Sequence, residues 1–392
     1  MTVWWFISPK IIFGEDAIEE LGEFSSGNAF IVTDPVVYKL GLTEKLTQLL
    51  TARGWSVALW DCAEPDPTVS IVKQAASAMD TFCADMIIAI GGGSVMDTAK
   101  AAWILYEHPD IDLEAVNPLE PLHLRQKARM ICIPTTAGTG SEATRAIVIR
   151  DDETGRKFST SNGELAPDYA ILDPQFVKGL PKDLTAYTGL DALSHAVEGY
   201  TSLWKNDFSD GCSLKAVRLI FEWLPHSYNN PDDLEAREKM LIAANLGGLS
   251  FSNSQVALVH SFGHSIGSVL KLHHGMSVGM VLPYVIEFNI KGNEDSAKLY
   301  QELAQQIGIS ESDSTKASIE FANRIRALQD KIHAPKSLKA AGISKKDFEN
   351  GLDELIEFTM MDASITMNAR DISQEEVKKL YTYLFEGKSV DF

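Results

Sequence analysis

A short apolar run that leads directly into consecutive glycines constrains this chain more than any other feature. Met86-Ile-Ile-Ala-Ile90 continues into Gly91-Gly-Gly-Ser94, and apolar residues recur at helical spacing from position 96 to 105. The pattern predicts a buried strand, a tight turn and a helix with Ser94 as its N-cap. Backbone N–H groups at such a helix start attract phosphate, so the turn is a candidate diphosphate site. Because Met96 replaces the third glycine of the usual dinucleotide fingerprint, a turn without a ligand is the alternative.

The first 177 residues alternate apolar runs with helical patterns, which predicts an α/β domain. We expect strands at 1–10, 29–33, 55–60, 86–90, 130–133 and 170–172, a crossover helix at 68–82, and a hairpin of 144–150 with 156–159. From residue 178 to 392 the patterns are almost all helical, and Asp183 is the expected N-cap of the first long helix. The predicted architecture is an α/β domain followed by an all-α domain.

A second loop resembles the glycine turn in its position. Pro134-Thr-Thr-Ala-Gly-Thr-Gly-Ser-Glu142 follows the predicted strand 130–133 and is dense in hydroxyl groups and glycine. Such a loop can wrap a cofactor through hydroxyl and amide hydrogen bonds, or it can be a long surface turn. Two loops of this kind after successive inner strands favour a shared ligand at the carboxyl edge of the sheet.

Four of the nine histidines lie between Ala257 and Gly275. His260 and His264 are four positions apart, so on a helix they share one face. His273 and His274 follow about two and a half turns later, and we expect Gly275 to let the chain turn back toward the same ion. The pattern indicates a metal site, with hydrogen-bonded core histidines as the alternative.

A further stretch strengthens the metal interpretation. Asp191 and His195 are also four positions apart, in a segment with apolar residues at helical spacing. One carboxylate and one imidazole from this helix, joined by imidazoles from the second stretch, would complete a four-ligand site. This donor set suits Fe(II), Zn(II) or a similar ion.

Composition excludes several functional classes. A net charge of −19, without clustered Lys and Arg, argues against a nucleic-acid surface. No run reaches the ~18 apolar residues of a membrane span, and the N-terminus lacks the basic region of a signal peptide. The four cysteines lie far apart without a C-x-x-C pair, which predicts free thiols and a cytoplasmic protein.

Taken together, these stretches resemble the iron-containing (group III) alcohol dehydrogenase family, which is related more distantly to glycerol dehydrogenase and dehydroquinate synthase. The resemblance covers nearly the whole chain, and its motifs are Gly91-Gly-Gly-Ser-Val-Met-Asp-Thr-Ala-Lys100, Pro134 to Glu142, Gly189-Leu-Asp-Ala-Leu-Ser-His195, and His260 to Gly275. It implies a Rossmann-like dinucleotide-binding domain, a helical metal-binding domain, a cleft between them for nicotinamide and metal, and a homodimer.

The resemblance also implies roles for individual residues. The expected metal ligands are Asp191, His195, His260 and His274. His264 corresponds to a family histidine beside the metal, for proton relay or substrate positioning, whereas His273 stands where the family often has proline. The expected cofactor-binding residues are Gly91, Gly92, Gly93 and Ser94 at the diphosphate, Asp97 near the nicotinamide, Thr135, Thr136, Thr139 and Ser141 along the pocket, and Lys157 at a ribose.

The expected reaction is reversible oxidation of a small primary alcohol, diol or hydroxy compound to its carbonyl, with nicotinamide as hydride carrier and the metal as Lewis acid. Asp34, after an early strand, can bind an adenosine ribose and repel a 2′-phosphate, which favours NAD over NADP, or it can simply start a turn. Phe251 and Phe262 suggest an alcohol substrate of modest size. The alternatives are a dehydroquinate-synthase-like lyase, a hydroxy-acid or lactaldehyde dehydrogenase, and a non-catalytic nicotinamide sensor.

Overall fold

The computed structural model describes residues 3–392, in a chain that divides into two compact units, residues 1–178 and 179–392. The first unit contains a six-stranded parallel sheet and a two-stranded antiparallel hairpin. Its strands are β1 Lys10–Phe13, β2 Asn28–Val32, β3 Ser56–Trp60, β4 Met86–Gly91, β5 Arg129–Pro134, β6 Ala146–Arg150, β7 Lys157–Ser161 and β8 Tyr169–Leu172. Its α-helices are α1 Pro35–Lys39, α2 Leu42–Ala52, α3 Val69–Phe82 and α4 Gly93–Glu107, and 3-10 turns lie at Ala17–Glu23, Ser141–Ala143, Gly163–Leu165 and Pro174–Val177.

The inner strands are apolar at consecutive positions because helices cover both faces of the sheet. In β4, Ile87 and Ala89 belong to a core shared with α3 and α4. Met86, Ile88 and Ile90 belong to a second core, on the other face, shared with α2. This double burial explains why the run 86–90 reads as continuously apolar instead of alternating.

The strand order places two predicted cofactor-binding segments side by side. The order is β1-β8-β5-β4-β2-β3, so β3 extends the sheet beyond β2, whereas β5 and β8 extend it beyond β4. The direction of winding therefore reverses between β2 and β4, and ligands of open α/β sheets bind at the carboxyl ends of strands at such a point. Asp34 follows β2 and Gly91 ends β4, so both flank this switch point.

The predicted fold class is confirmed, while two local predictions in the first unit were wrong. The expected strand 1–10 falls partly outside the described residues, and residues 3–9 form no strand, because the first strand begins at Lys10. Ser94 is not an N-cap: α4 begins at Gly93, with Gly92 as N-cap and no side-chain cap. The carbonyl of Gly92 accepts from Val95 and Met96, so the helix starts within the glycines and leaves its first N–H groups uncovered by side chains.

The second unit is helical and contains no strand within residues 179–392. Its α-helices are α5 Lys182–Thr201, α6 Asp207–Asn229, α7 Leu234–Ser254, α8 Leu258–Leu270, α9 His274–Asn289, α10 Glu294–Gln305, α11 Ser314–Lys331, α12 Lys345–Met361 and α13 Gln374–Glu386, with a 3-10 turn at Ala363–Met367. Within residues 3–392, no helix combines the length and the apolar character needed to cross a membrane.

Helix α5 is the centre of this unit and packs against α6, α7 and α9. It is buried almost all round from Thr185 onward, as expected of a helix enclosed by others. The predicted cap was wrong here, since Pro181 is the N-cap and Asp183 lies inside the first turn. A carboxylate in the first turn still interacts favourably with the helix dipole, which explains why Asp183 resembled a start signal.

The link between α8 and α9 differs from the expected one. The chain turns at Lys271, which adopts a left-handed conformation with φ of 56°, and Gly275 lies inside α9. A Cβ on Gly275 would come within 2.3 Å of the Tyr187 carbonyl oxygen and 3.1 Å of Asp191 Cβ. Glycine at 275 therefore permits close approach of α9 to α5 and does not provide the turn.

We predict that Gly275→Ala destabilises the second unit by about 1–3 kcal/mol, because the new methyl group must push α9 away from the α5 backbone. Thermal unfolding followed by circular dichroism measures this loss.

Gly211→Ala is the matched control. Gly211 is an exposed position of α6 where an added Cβ meets nothing within 4 Å, so alanine should stabilise the helix by about 0.5–1 kcal/mol. Equal shifts for both variants would contradict the close approach of α9 to α5.

Candidate functional site

Three of the predicted metal ligands come together in the second unit. Asp191 and His195 lie one turn apart on α5, with His195 Nε2 3.8 Å from Asp191 Oδ1. His260 of α8 brings its Nε2 to 4.0 Å from the same carboxylate oxygen. One ligand atom from each of the three residues lies within 4.8 Å of the other two, and all three residues are buried. This spacing is close enough for one ion to reach all three after small adjustments.

The fourth predicted ligand lies at the edge of this group. His274 is the first residue of α9, and its Nε2 is 3.5 Å from Asp191 Oδ1. It is not part of the cluster whose atoms all lie within 4.8 Å of one another. Its side chain is 38% exposed, compared with 3% for Asp191. Asp191 Oδ1 is thus the atom on which the three imidazoles converge.

The chemistry of the buried atoms fits a divalent cation. Asp191 Oδ1 and His260 Nε2 are buried and have no hydrogen-bond partner within residues 3–392. Burial raises the pKa of Asp191 to about 8, and burial together with the charge of His264 lowers the pKa of His260 to about 3. Buried polar atoms without partners are costly, whereas a cation would favour the carboxylate and bind the neutral imidazole.

Glu198 contacts this group of residues, and sequence reasoning did not assign it a role. It lies on α5 three positions after His195, and its Oε2 is 2.5 Å from His260 Nδ1. Its Oε1 accepts a 2.6 Å hydrogen bond from the backbone N–H of Val259, at the start of α8. Helix α8 has no side-chain cap of its own, because its N-cap is Ala257. One oxygen of Glu198 therefore caps α8, and the other orients the His260 ring.

This contact also selects the tautomer of His260. When Glu198 accepts from Nδ1, the proton resides on Nδ1 and the Nε2 lone pair faces Asp191. Burial raises the pKa of Glu198 to about 8, although backbone N–H groups of Ala257, Val259 and His260 oppose this by stabilising the carboxylate. A cation beside His260 would shift the balance further toward the carboxylate.

The remaining aromatic residues of this region differ in position. His264 is partly exposed, and its ring stacks on His274 with 5.4 Å between centroids. His273 is exposed and is the N-cap of α9, with its ring 5.4 Å from that of Tyr187. Phe251, on α7, stacks on His195 with 4.2 Å between ring centroids and so restricts the orientation of the His195 ring.

Phe262 does not belong to a substrate pocket, contrary to the sequence-based expectation. It is 1% exposed and packs against Tyr381, with 4.5 Å between ring centroids. It points into the core because it lies two positions from His260 on α8, roughly 200° around the helix.

In the first unit, the glycine turn and the hydroxyl-rich loop meet. A Cβ on Gly93 would lie 2.9 Å from Thr139 Cγ2, and one on Gly92 would lie 3.6 Å from Thr136 Cγ2. Thr135 donates its backbone N–H to the Gly91 carbonyl at 3.0 Å. The two loops therefore form one surface at the ends of β4 and β5, as their positions after neighbouring strands predicted.

Two predicted cofactor-binding side chains are engaged within the protein. Asp97 accepts from Ser141 Oγ and from the Val148 backbone N–H, both at 3.0 Å. Beneath them, Lys100 is fully buried and donates to the carbonyl oxygens of Ser141 at 2.6 Å and Thr144 at 2.9 Å. Asp97 and Lys100 thus hold the hydroxyl-rich loop against α4. Lys100 ends the motif that begins at Gly91, but the sequence predicted no role for it.

Asp34 and Lys157 also have partners. Asp34 caps α1, and its Oδ1 accepts from Val36 at 2.7 Å and Val37 at 2.9 Å. Lys157, at the start of β7, is exposed and pairs with Asp66 at 2.5 Å, so a ribose contact would compete with this ion pair.

We predict that Glu198→Gln weakens Zn²⁺ binding about 10- to 100-fold, because the neutral amide no longer holds the His260 tautomer and charge as the carboxylate does. Competition with a chromogenic chelator measures the affinity without any catalytic assay.

Glu287→Gln is the control for loss of a buried carboxylate in the same unit. Glu287 is 5% exposed, pairs with Arg326 and accepts from the Val390 N–H, and it lies about 20 Å along α9 from His274. Its replacement should leave Zn²⁺ affinity unchanged. Comparable losses in both variants would assign the Glu198 effect to general destabilisation.

Two family models match consecutive parts of the chain. The first, described as iron-containing alcohol dehydrogenase, matches residues 8–174. The second, described as the C-terminal part of the Fe-containing alcohol dehydrogenase family, matches residues 185–385.

Individual proteins give the same result. Aldehyde-alcohol dehydrogenase 2 of Entamoeba histolytica is 37% identical over 96% of this chain, which spans only 46% of that protein. NADPH-dependent butanol dehydrogenase of Clostridium saccharobutylicum is 36% identical, with 99% of both chains covered. The solved structure of alcohol dehydrogenase from Oenococcus oeni matches with a TM-score of 0.91 at 29% identity, covering 98% of this chain and 100% of that one. The chain belongs to the iron-containing alcohol dehydrogenase family.

Proposed function

We propose that the protein is a metal-dependent oxidoreductase that interconverts a small primary alcohol, diol or hydroxy compound and its aldehyde or ketone, with NAD(P) as hydride carrier. The observation that carries this proposal is the convergence of three imidazoles on the buried Asp191 carboxylate. Family membership supports the same reaction class.

The proposed ligands are Asp191, His195, His260 and His274, with Fe²⁺ as the ion and Zn²⁺ as the alternative, because imidazole and carboxylate donors accept both. When bound, the metal supplies Lewis-acid polarisation of the substrate oxygen, and nicotinamide supplies the hydride acceptor or donor. The chain's own contribution is to hold the donor groups in place: Glu198 fixes His260, and Phe251 packs on His195.

His264 is the residue that we propose to handle the substrate proton. It lies one turn after His260 on α8 and packs against the rings of both His260 and His274. A partly exposed imidazole next to the ligand group can accept the hydroxyl proton of the alcohol and return it to the carbonyl in the reverse direction.

The proposed cofactor site lies at the switch point of the sheet. Gly91, Gly92, Gly93 and Ser94 would bind the diphosphate through the uncapped start of α4. Thr135, Thr136 and Thr139 would line the pocket, whereas Ser141 and Asp97 would act mainly by shaping the loop. Asp34 favours NAD over NADP through repulsion of a 2′-phosphate.

The lyase alternative receives little support. Such a site needs basic residues for an anionic substrate, and Lys271, the lysine of the His260 to Gly275 stretch, is exposed and donates to the Ser268 carbonyl at 2.6 Å. A non-catalytic sensor would not need the complete ligand set. Lactaldehyde or hydroxy-acid oxidation remains within the proposed reaction class and is separated from simple alcohol oxidation by a substrate panel.

We propose that the protein is a homodimer in the cytoplasm. Its substrates are small molecules, and it does not bind nucleic acid or membranes. All four cysteines are free, which supports a reducing compartment. The chain spans about half the length of relatives such as the Entamoeba protein, so the activity and partners of the whole protein are also part of this proposal.

We predict that the metal-stripped protein produces no NADH from NAD and a panel of short alcohols and diols, and that anaerobic addition of Fe²⁺ or Zn²⁺ restores production.

His195→Ala should abolish metal binding and turnover, because it removes a buried ligand, while NADH binding by the first unit persists. Absorbance of NADH and titration of its fluorescence give the two measurements. Turnover by His195→Ala would refute the ligand assignment.

We predict that Asp34→Asn lowers the preference for NAD over NADP at least about 10-fold in kcat/KM, because the repelling charge disappears while asparagine still caps α1. Asp313→Asn is the control, since Asp313 caps α11 through Lys316 and has no proposed cofactor contact. An unchanged preference in Asp34→Asn would indicate that Asp34 is only a helix cap.

A further inference from the structure

Asp362 makes a direct contact with the proposed proton-handling residue. Its Oδ2 lies 2.8 Å from His264 Nδ1. The two residues are 98 positions apart in the chain, so the contact depends on the packing of α12 against α8. The carboxyl side chain of Asp362 is 18% exposed and the His264 imidazole is 38% exposed.

Several groups hold the Asp362 carboxylate in this position. It follows the end of α12 and caps the 3-10 turn Ala363–Met367, accepting from the Ser364 backbone N–H at 2.8 Å. Ser261 Oγ donates at 3.4 Å to Oδ1, the oxygen that also accepts from Ser364, whereas His264 contacts Oδ2. Burial alone would raise the pKa of Asp362, but the hydrogen bonds from His264 and Ser364 lower it. The side chain is therefore an anchored anion.

An anchored anion at Nδ1 restricts the imidazole in two ways. It keeps a proton on Nδ1, so that Nε2 is the nitrogen left to accept a proton. It also fixes the plane of the ring, which stacks on His274 at an interplanar angle of 16° and meets His260 edge-on at 67°. A histidine held only by stacking could flip and present the wrong nitrogen.

We propose that Asp362 is a positioning residue that holds His264 in the Nδ1–H tautomer and directs Nε2 toward the substrate hydroxyl. This inference rests on the proposed dehydrogenase function. Asp362 is not one of the proposed metal ligands and acts through its contact with His264.

The test is Asp362→Asn compared with Asp233→Asn. Asparagine keeps the helix-capping function at both sites. Asp233 is matched because it also caps a helix, α7, and also lies 2.8 Å from a histidine nitrogen, Nε2 of His226, on the surface. We expect Asp362→Asn to lower kcat about 100-fold, with KM for NAD and Zn²⁺ affinity within 2-fold of wild type. Asp233→Asn should change none of these.

A double-mutant cycle shows whether Asp362 acts through His264. In a His264→Ala background, Asp362→Asn should cause no further loss of kcat, because the group that it positions is gone. An additional loss of the full size in that background would overturn the proposal.

Nitrogen NMR of histidine-labelled protein gives a readout that needs no turnover. The His264 signals should report protonated Nδ1 in the wild type and a mixed or reversed tautomer in Asp362→Asn. An unchanged tautomer in the variant would overturn the positioning role. Absence of turnover by the metal-loaded wild type, with the expected tautomer change in Asp362→Asn, would instead refute the dehydrogenase function and leave the contact intact.

Discussion

The candidate site depends on one buried carboxylate that is not itself one of the proposed metal ligands. Glu198 stands on the central helix α5, caps the otherwise uncapped start of α8, and fixes the His260 ring. A buried carboxylate is costly unless strong donors satisfy it, and here a helix N-terminus and an imidazole provide them. The same contact therefore offsets the cost of burial and sets both the position of α8 and the nitrogen that His260 presents to Asp191.

Residues that are close in sequence were predictable, and those paired over long distances were not. The spacing of Asp191 with His195, and the strand-to-glycine transition at Gly91, follow from helix and strand periodicity. The contacts of Glu198 with His260 and of Asp362 with His264 span 62 and 98 positions, and no local pattern encodes them. Glu198 did share a helical face with His195, which was the one available signal.

Polarity in the cofactor region also proved ambiguous. Thr139 and Ser141 are equally hydroxyl-bearing, but Ser141 is committed to Asp97 and Lys100 beneath the loop. Lys100 satisfies several carbonyl oxygens of that loop, and a buried cation of this kind is retained only when its donors are used. From sequence alone, a group that binds a ligand and a group that supports the loop look the same.

The proposed metal ligands lie on α5, α8 and α9, and all three helices belong to the second unit. An ion bound there would join positions 191 and 274 directly and close the intervening chain into a loop. Such a cross-link removes conformational freedom from the unfolded chain as well as adding bonds to the folded one. Metal supply would then govern how long the helical half survives heat or proteases, independently of whether any substrate is present.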